Sequence, residues 1–181
     1  LVVGAGNNGG DALWAGVRLA GRGVRVWAWR TAETVHAEGW AAFVAAGGRV
    51  TDAVGALALL GEADLIVDGV LGIGGRGGLR EPVATFARAC ADAGVRVLAV
   101  DLPSGLEADA VGVPASFCAA VTVTFGGLKM CHVAEPAASA CGRVEVADIG
   151  LDLAGPGDPA LLAWDVADVA AHWPAPSARS D

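Results

Sequence analysis

The segment Gly4–Asp11, with the sequence GAGNNGGD, constrains the fold of this chain more than any other feature. It follows the apolar residues 1–3 and precedes a stretch that we predict to be a helix from about Gly10 to Ala20. A glycine-rich turn between a buried strand and a helix is typical of nucleotide-binding α/β domains, because the amides at the start of the helix can bind phosphate. The turn therefore predicts an α/β fold that holds a phosphate-bearing small molecule.

Predicted strands and helices alternate along the chain to about residue 150. The further strands are Val24–Trp29, Arg49–Thr51, Asp64–Val70, Val95–Leu102, Val121–Phe125 and Arg143–Ile149, and the further helices are Thr31–Ala46, Asp52–Leu60 and Leu79–Ala93. Such alternation predicts a Rossmann-like three-layer αβα sandwich with a mostly parallel sheet, and the polar-apolar alternation of the last strand places it at an edge. We expect one domain over residues 1–150, followed by a linker or tail over residues 151–181.

Composition limits the classes of partner that this chain can bind and indicates its cellular compartment. A net charge of −8 and a single lysine disfavour nucleic acid and acidic membranes as partners, because both are bound by clustered Lys and Arg. The longest uncharged stretch, residues 110–128, contains Gly, Pro and alternating Val and Thr, so it predicts a turn and a strand and no membrane span. No secretory signal is recognised, and the four cysteines form no CxxC pair and have no His at zinc-ligand spacing. We expect a cytoplasmic protein with reduced thiols.

The glycine turn carries polar residues that a generic dinucleotide site does not need. Asn7 and Asn8 are the only asparagines in the chain, and they favour a binding role because glycine would satisfy a purely conformational need. Asp11 is either a carboxylate favoured by the helix dipole or a contact to hydroxyls or amides of a ligand. The acidic residue that dehydrogenases carry after their second strand is missing, and Arg30 there either binds a 2′-phosphate or is a solvated charge.

Two carboxylates lie at the ends of predicted apolar strands. Asp68 is near the end of one strand, and Asp101 ends another and is followed by Leu-Pro-Ser-Gly. Unpaired carboxylates are costly to bury, so each needs a cation, a hydroxyl or a ligand proton. Pro103 and Gly105 fix the turn around Ser104, and we expect this turn to direct the Ser104 side chain toward the pocket at the ends of these strands. A serine-hydrolase site is excluded because the G-x-S-x-G motif is missing, and a P-loop because no G-K-[ST] follows the first glycines.

Four segments in order, GAGNNGGDAL, VDGVLGIGGRGGLREP, VDLPSGLEAD and VTVTFGGLK, resemble the NAD(P)H-hydrate epimerase family, the YjeF N-terminal domain. The resemblance covers roughly residues 1–150. It implies an isomerase that interconverts the R and S epimers of NADHX and NADPHX, nicotinamide cofactors hydrated on the ring, so that a dehydratase can act on the S form. The alternative is a non-catalytic nucleotide-binding or scaffold module on the same fold.

The resemblance also implies roles for individual residues. Asp101 is implied as the catalytic residue, and one K⁺ per subunit is implied as the cofactor, with Asn8, Asp68 and Ser104 as its oxygen ligands. Substrate binding is implied for Asn7, Asn8, Gly9, Gly10, Asp11, Gly72, Ile73, Gly74, Gly75, Arg76, Gly77, Gly78 and Asp101.

Other features of the resemblance concern departures and partners. The chain departs from the family pattern at Ala5, Ala12 and Glu107, where Pro, Gly and Asp are common, and the methyl group of Ala12 lies near the expected pocket. We also expect a homo-oligomer. The segment Trp164–Pro174 resembles the linker to a dehydratase domain in bifunctional relatives.

Overall fold

A computed structural model describes residues 1–152 and 166–172, in which seven strands form one sheet. The strands are β1 (Val2–Val3), β2 (Trp27–Arg30), β3 (Arg49–Thr51), β4 (Ile66–Gly69), β5 (Val97–Val100), β6 (Val121–Phe125) and β7 (Arg143–Ala147). They lie in the order β3-β2-β1-β4-β5-β6-β7, and every pairing between them is parallel. The predicted α/β class is confirmed, and β7 lies at an edge as its residue alternation predicted.

Helices cover both faces of this sheet. The helices of the described residues are α1 (Asn7–Ala20), α2 (Ala37–Ala45), α3 (Ala53–Leu59), α4 (Val83–Asp92), α5 (Met130–Val133), α6 (Ala138–Cys141) and α7 (Val166–His172), with a 3₁₀ turn at Leu60–Glu62. The exposed α7 is not among those packed on the sheet. Consecutive residues of β1 point to opposite faces: Val2 packs in a cluster with Ala56 of α3 and Phe86 of α4, and Val3 packs with Leu13 of α1. The three predicted layers are therefore present.

Several predicted boundaries were wrong. Helix α1 begins at Asn7, three residues before the predicted start, because the amide of Gly10 already donates to the carbonyl of Gly6. Helix α2 begins at Ala37 and not at Thr31, since the Nδ1 of His36 caps it by accepting the amide of Gly39. The short helices α5 and α6 were not predicted. Apart from Leu151, Asp152 and α7, the expected tail lies outside the described residues.

The strand order places the candidate site. From β1 the chain first builds β2 and β3 on one side and then returns to add β4 on the other, so a crevice opens between the loops that follow β1 and β4. Ligands of open parallel sheets bind in such a crevice, beyond the carboxyl ends of the strands. Among the described residues, no helix has the length and apolar character needed to cross a membrane.

Candidate active site

The glycines of the first turn allow α1 to start directly against the sheet. A Cβ at Gly4 would overlap the carbonyl oxygen of Val70, and one at Gly9 would overlap the carbonyl oxygen of Gly4. A Cβ at Gly10 would lie 2.9 Å from the Cγ of His36. Gly4 therefore lets the turn approach the backbone after β4, Gly9 lets α1 pack on the turn itself, and Gly10 lets α1 pack on the ring of His36. Side chains at these positions would push these parts apart.

Helix α1 presents free amides at its amino end. Its N-cap, Gly6, offers no side-chain acceptor, and the first intrahelical amide bond is the one from Gly10 to Gly6. The amides of Asn7, Asn8 and Gly9 consequently have no acceptor within the helix, and the helix dipole favours an anion there. Both asparagines lie in the first helical turn and not in the preceding loop, so they flank these free amides.

Asp101 lies where β5 ends, in a backbone conformation that side chains rarely adopt. Its φ of 70° makes it the only non-glycine residue with positive φ in the described part of the chain. The carboxylate is buried, and its Oδ1 accepts the hydroxyl of Thr124 at 2.9 Å and the ammonium of Lys129 at 2.7 Å. Such strain persists only where the surroundings hold it, and it is common at active sites.

Thr124 and Lys129 were not among the predicted site residues. The signals that could have found them are the position of Thr124 at the end of a strand beside Asp101 and the fact that Lys129 is the single lysine of the chain. The ammonium also donates to the carbonyl oxygen of Phe125 at 3.2 Å, so it is fixed by both strand ends.

The start of α1, the glycine loop after β4 and the end of β5 meet at the other oxygen of Asp101. A Cβ at Gly72 would lie 3.3 Å from Asp101 Oδ2 and 3.2 Å from the Oδ1 of Asn8, so the glycine loop approaches both side chains closely. Within the described residues, Oδ2 of Asp101 has no hydrogen bond, and the Nδ2 of Asn8 is buried without a partner. A buried polar atom without a partner, here the Nδ2 of Asn8, marks a place where a ligand completes the structure.

Asp68 and Ser104 join the loops after β4 and β5. Asp68 is fully buried; its Oδ2 accepts the amide of Ser104 at 2.7 Å and its Oδ1 accepts the amide of Val70 at 3.2 Å. Ser104 Oγ in turn accepts the amide of Leu71 at 2.8 Å and donates to the Leu71 carbonyl at 3.1 Å. Burial raises the pKa of Asp68 from its ordinary 3.8 to about 6, and the hydrogen bonds from Ser104 oppose that rise. No cationic side chain contacts Asp68 in the described ranges.

The rest of the predicted glycine loop is held by its own polar contacts. Arg76 donates to the carbonyl oxygens of Ile73 and Gly75, at 2.9 and 2.6 Å, and the amide of Gly77 donates to Glu107 at 3.0 Å. The chain's departure at Glu107 therefore keeps a carboxylate that orders this loop. The structure brings Gly72 to the site, whereas binding by Ile73, Gly74, Gly75, Arg76, Gly77 and Gly78 remains a prediction.

Asp11 lies near the site but is exposed on the second turn of α1. Partial burial and the charge of Asp101 raise its pKa, while His36 opposes the rise. The guanidinium of Arg30 lies over the ring of Trp40, 4.8 Å from its centroid, so this charge already has an aromatic contact.

Comparison with known proteins identifies the family. Residues 1–131 match the family described as YjeF-related protein N-terminus. The chain belongs to this family. The resemblance found in the sequence is thereby confirmed. The fold of the YjeF-related chain is similar to that of a crystal structure of yeast ynu0 (YNL200c), with a TM-score of 0.65 at 22% identity, over 81% of this chain and 63% of the yeast chain.

Curated relatives are more similar in sequence. The YjeF-related chain is 45% identical over 183 residues to the bifunctional NAD(P)H-hydrate repair enzyme Nnr of Mycobacterium tuberculosis, covering 99% of this chain and 36% of the relative. It is 44% identical over 169 residues to the NAD(P)H-hydrate epimerase of Clavibacter michiganensis subsp. michiganensis, covering 86% of this chain and 74% of the relative. The chain thus spans little more than a third of the length of the bifunctional relatives.

Proposed function

We propose that this chain is an NAD(P)H-hydrate epimerase, an isomerase that interconverts the R and S epimers of NADHX and NADPHX. The names of its relatives support this reaction. The observation that carries the proposal is the state of Asp101: a buried carboxylate on strained backbone, with Oδ1 bound by Thr124 and Lys129 and Oδ2 directed toward Asn8 and Gly72.

Binding of the substrate follows from the two glycine segments. The free amides at the start of α1 suit the pyrophosphate of a dinucleotide, and they bind it without any net positive charge on the protein. Gly72 leaves room for a ring beside Asp101, because any side chain there would crowd the Asn8 and Asp101 oxygens. The hydrated nicotinamide ring is proposed to lie at this point, with its C6 hydroxyl near Asp101 Oδ2.

Epimerisation requires a carbon–oxygen bond to break and re-form on the other face of the ring. The ring nitrogen's lone pair helps to expel the C6 hydroxyl as water, which leaves a planar iminium. Water then adds from the opposite side and loses a proton, so the proton taken by the leaving group is returned. Asp101 is the group that delivers and recovers this proton, and Lys129 and Thr124 orient it through Oδ1.

The donor set around Asp68 fits the implied potassium ion. Asn8, Asp68 and Ser104 offer oxygen ligands, which hard cations prefer, and the fully buried Asp68 carboxylate has no cationic side chain beside it in the described part. These three residues would hold the ion, and the ion would supply the positive charge that the buried carboxylate lacks. Asp68 and Ser104 already fix the loop that carries Gly72, because they accept hydrogen bonds from the amides of Val70 and Leu71.

Finer points of the proposal concern the setting of the enzyme. A cytoplasmic location and a homo-oligomer are proposed from the sequence and the family resemblance. The bifunctional names of relatives that match 99% of this chain support a further proposal, that a dehydratase domain accompanies this one in the same polypeptide.

The proposal is tested by separating binding from turnover in the variant Asp101→Asn. Asn tolerates positive φ and still accepts a hydrogen bond from Lys129, so the fold should survive. We expect the dissociation constant for NADHX, measured by calorimetry, to change little, while epimer exchange falls by about 10²–10⁴-fold. Asp109→Asn, an exposed carboxylate on the same segment, is the matched control and should retain exchange.

Two results would decide against the assignment. Undiminished exchange in Asp101→Asn would remove Asp101 from the mechanism. Binding of NADHX by a wild-type protein that never accelerates its epimerisation would favour the non-catalytic module, for which the contacts of Asp101 have no use.

A further inference from the structure

A buried cluster of two thiols and one imidazole lies behind the loop that carries Lys129. Cys131 and His132 belong to α5, and Cys141 is the last residue of α6. One ligand atom from each of the three side chains lies within 4.8 Å of the other two. Both cysteines are completely buried, and His132 is 6% exposed. This grouping was not predicted, because the spacing matches no familiar metal motif and because α5 and α6 were not predicted.

His132 leaves one ring nitrogen of this cluster unsatisfied. Its Nδ1 accepts the backbone amide of Lys129 at 3.1 Å, and its Nε2 is buried without a hydrogen-bond partner among the described residues. The thiol of Cys141 donates to the carbonyl oxygens of Cys131 at 3.4 Å and Ala137 at 3.6 Å, and it also interacts with the side chain of Cys131. A buried imidazole nitrogen without a hydrogen-bond partner, beside two thiols, marks a place that a metal ion would complete.

We propose that Cys131, His132 and Cys141 bind one zinc ion. Thiolate sulfur and imidazole nitrogen are ligands that zinc prefers, whereas potassium and magnesium prefer oxygen. The charges favour a divalent ion, because two thiolates and Zn²⁺ sum to zero, and a net charge is costly in a buried site. A monovalent soft ion would leave the same site negative. Three protein ligands leave one of zinc's four positions to a water that enters with the ion.

Zinc binding at this site would change the hydrogen bonding of the Lys129 amide, because His132 accepts that amide's hydrogen bond. A neutral imidazole has one lone pair, and in the metal-free protein that pair accepts the Lys129 amide. Coordination uses the lone pair for the metal, so the hydrogen bond between His132 Nδ1 and the Lys129 amide must break. The backbone amide of Lys129 therefore reports on zinc occupancy directly, whether or not the protein is an epimerase.

The test is a metal titration of the reduced 181-residue protein, with Zn²⁺ followed by calorimetry and Co²⁺ followed by its thiolate charge-transfer absorption. We expect one ion per chain, and a loss of affinity of at least about 100-fold in Cys131→Ser, Cys141→Ser and His132→Gln. Cys118→Ser, which removes the exposed cysteine outside the cluster, should bind like wild type. Far-UV circular dichroism of each metal-free variant checks that it is folded.

A second measurement keeps the proposal falsifiable if a cysteine variant fails to fold. In ¹⁵N–¹H spectra of the wild-type protein, Zn²⁺ should shift the Lys129 amide resonance, with saturation at one equivalent. Zinc that binds equally well to folded His132→Gln, cobalt spectra without thiolate bands, or saturation without any change at the Lys129 amide would each overturn the assignment.

Discussion

The buried Asp68 carboxylate should make the stability of this protein depend on potassium in a pH-dependent way. Its folded-state pKa of about 6 lies above the ordinary 3.8, because burial disfavours the charged form. The folded state therefore binds this proton more tightly than the unfolded chain does. The resulting stabilisation is complete below about pH 3.8, and it is lost as the pH rises through about 6.

The difference between 3.8 and about 6 corresponds to about 3 kcal/mol of unfolding free energy. A potassium ion bound beside the ionised carboxylate would offset that loss. We thus expect potassium to have almost no effect on stability near pH 4.5, and to raise the free energy of unfolding by up to about 3 kcal/mol near pH 7.5. The quantity to compare is the difference in unfolding free energy between KCl and choline chloride at equal ionic strength. The pH dependence from other titratable groups is the same in both salts and cancels in this difference.

The assay is urea unfolding in the two salts across this pH range, for wild type, Asp68→Asn and Asp64→Asn. Asp64 is an exposed carboxylate just before β4 and should behave like wild type. Asp68→Asn should lose the difference between the salts, even though the substitution also removes one of the two hydrogen bonds that Asp68 accepts from backbone amides. A potassium effect that is equal at pH 4.5 and 7.5, or one that persists in Asp68→Asn, would refute the reasoning.

Two further predictions concern the neighbours of the site. Lys129→Met leaves Asp101 buried without its ion pair, so we expect the free energy of unfolding, measured in urea, to fall by about 3 kcal/mol. We also expect kcat to fall by a larger factor than KM rises, with partial rescue of kcat by Lys129→Arg. An unchanged kcat would show that Lys129 does not position Asp101. Gly9→Ala forces a methyl group onto the carbonyl oxygen of Gly4, so it should lower the melting temperature and abolish dinucleotide binding. The control variant Gly6→Ala, with no atom within 4 Å of the added Cβ, should unfold like wild type. Equal melting temperatures of the two variants would contradict the packing argument.

The fold was predictable because its signals are local. Apolar strands separated by helical stretches specify a parallel sheet, and the glycine turn after β1 marks the switch point of that sheet. Helix starts were less predictable, because they depend on tertiary contacts. The cap that delays α2 comes from His36, whose ring also packs beside Gly10 of α1, and nothing in the local sequence of Thr31–Ala46 signals that contact.

The same distinction applies to the site. Asp68 and Asp101 were recognisable because a carboxylate at the end of an apolar strand is unusual in itself. Lys129 was not recognised as a site residue, because its role depends on which strands are neighbours. β6 pairs with β5, and this pairing places Lys129 against Asp101, although the two residues are 28 positions apart in the sequence. The cluster of Cys131, His132 and Cys141 depends in the same way on how α5 and α6 pack.

The central claim, that this chain epimerises hydrated nicotinamide cofactor, is tested most directly by NMR with purified R-NADHX. With wild-type protein and potassium present, we predict that the signals of the S epimer appear and approach equilibrium much faster than in buffer alone. An R-to-S conversion rate equal to that of the protein-free sample, from protein shown to be folded and to bind NADHX, would contradict the account.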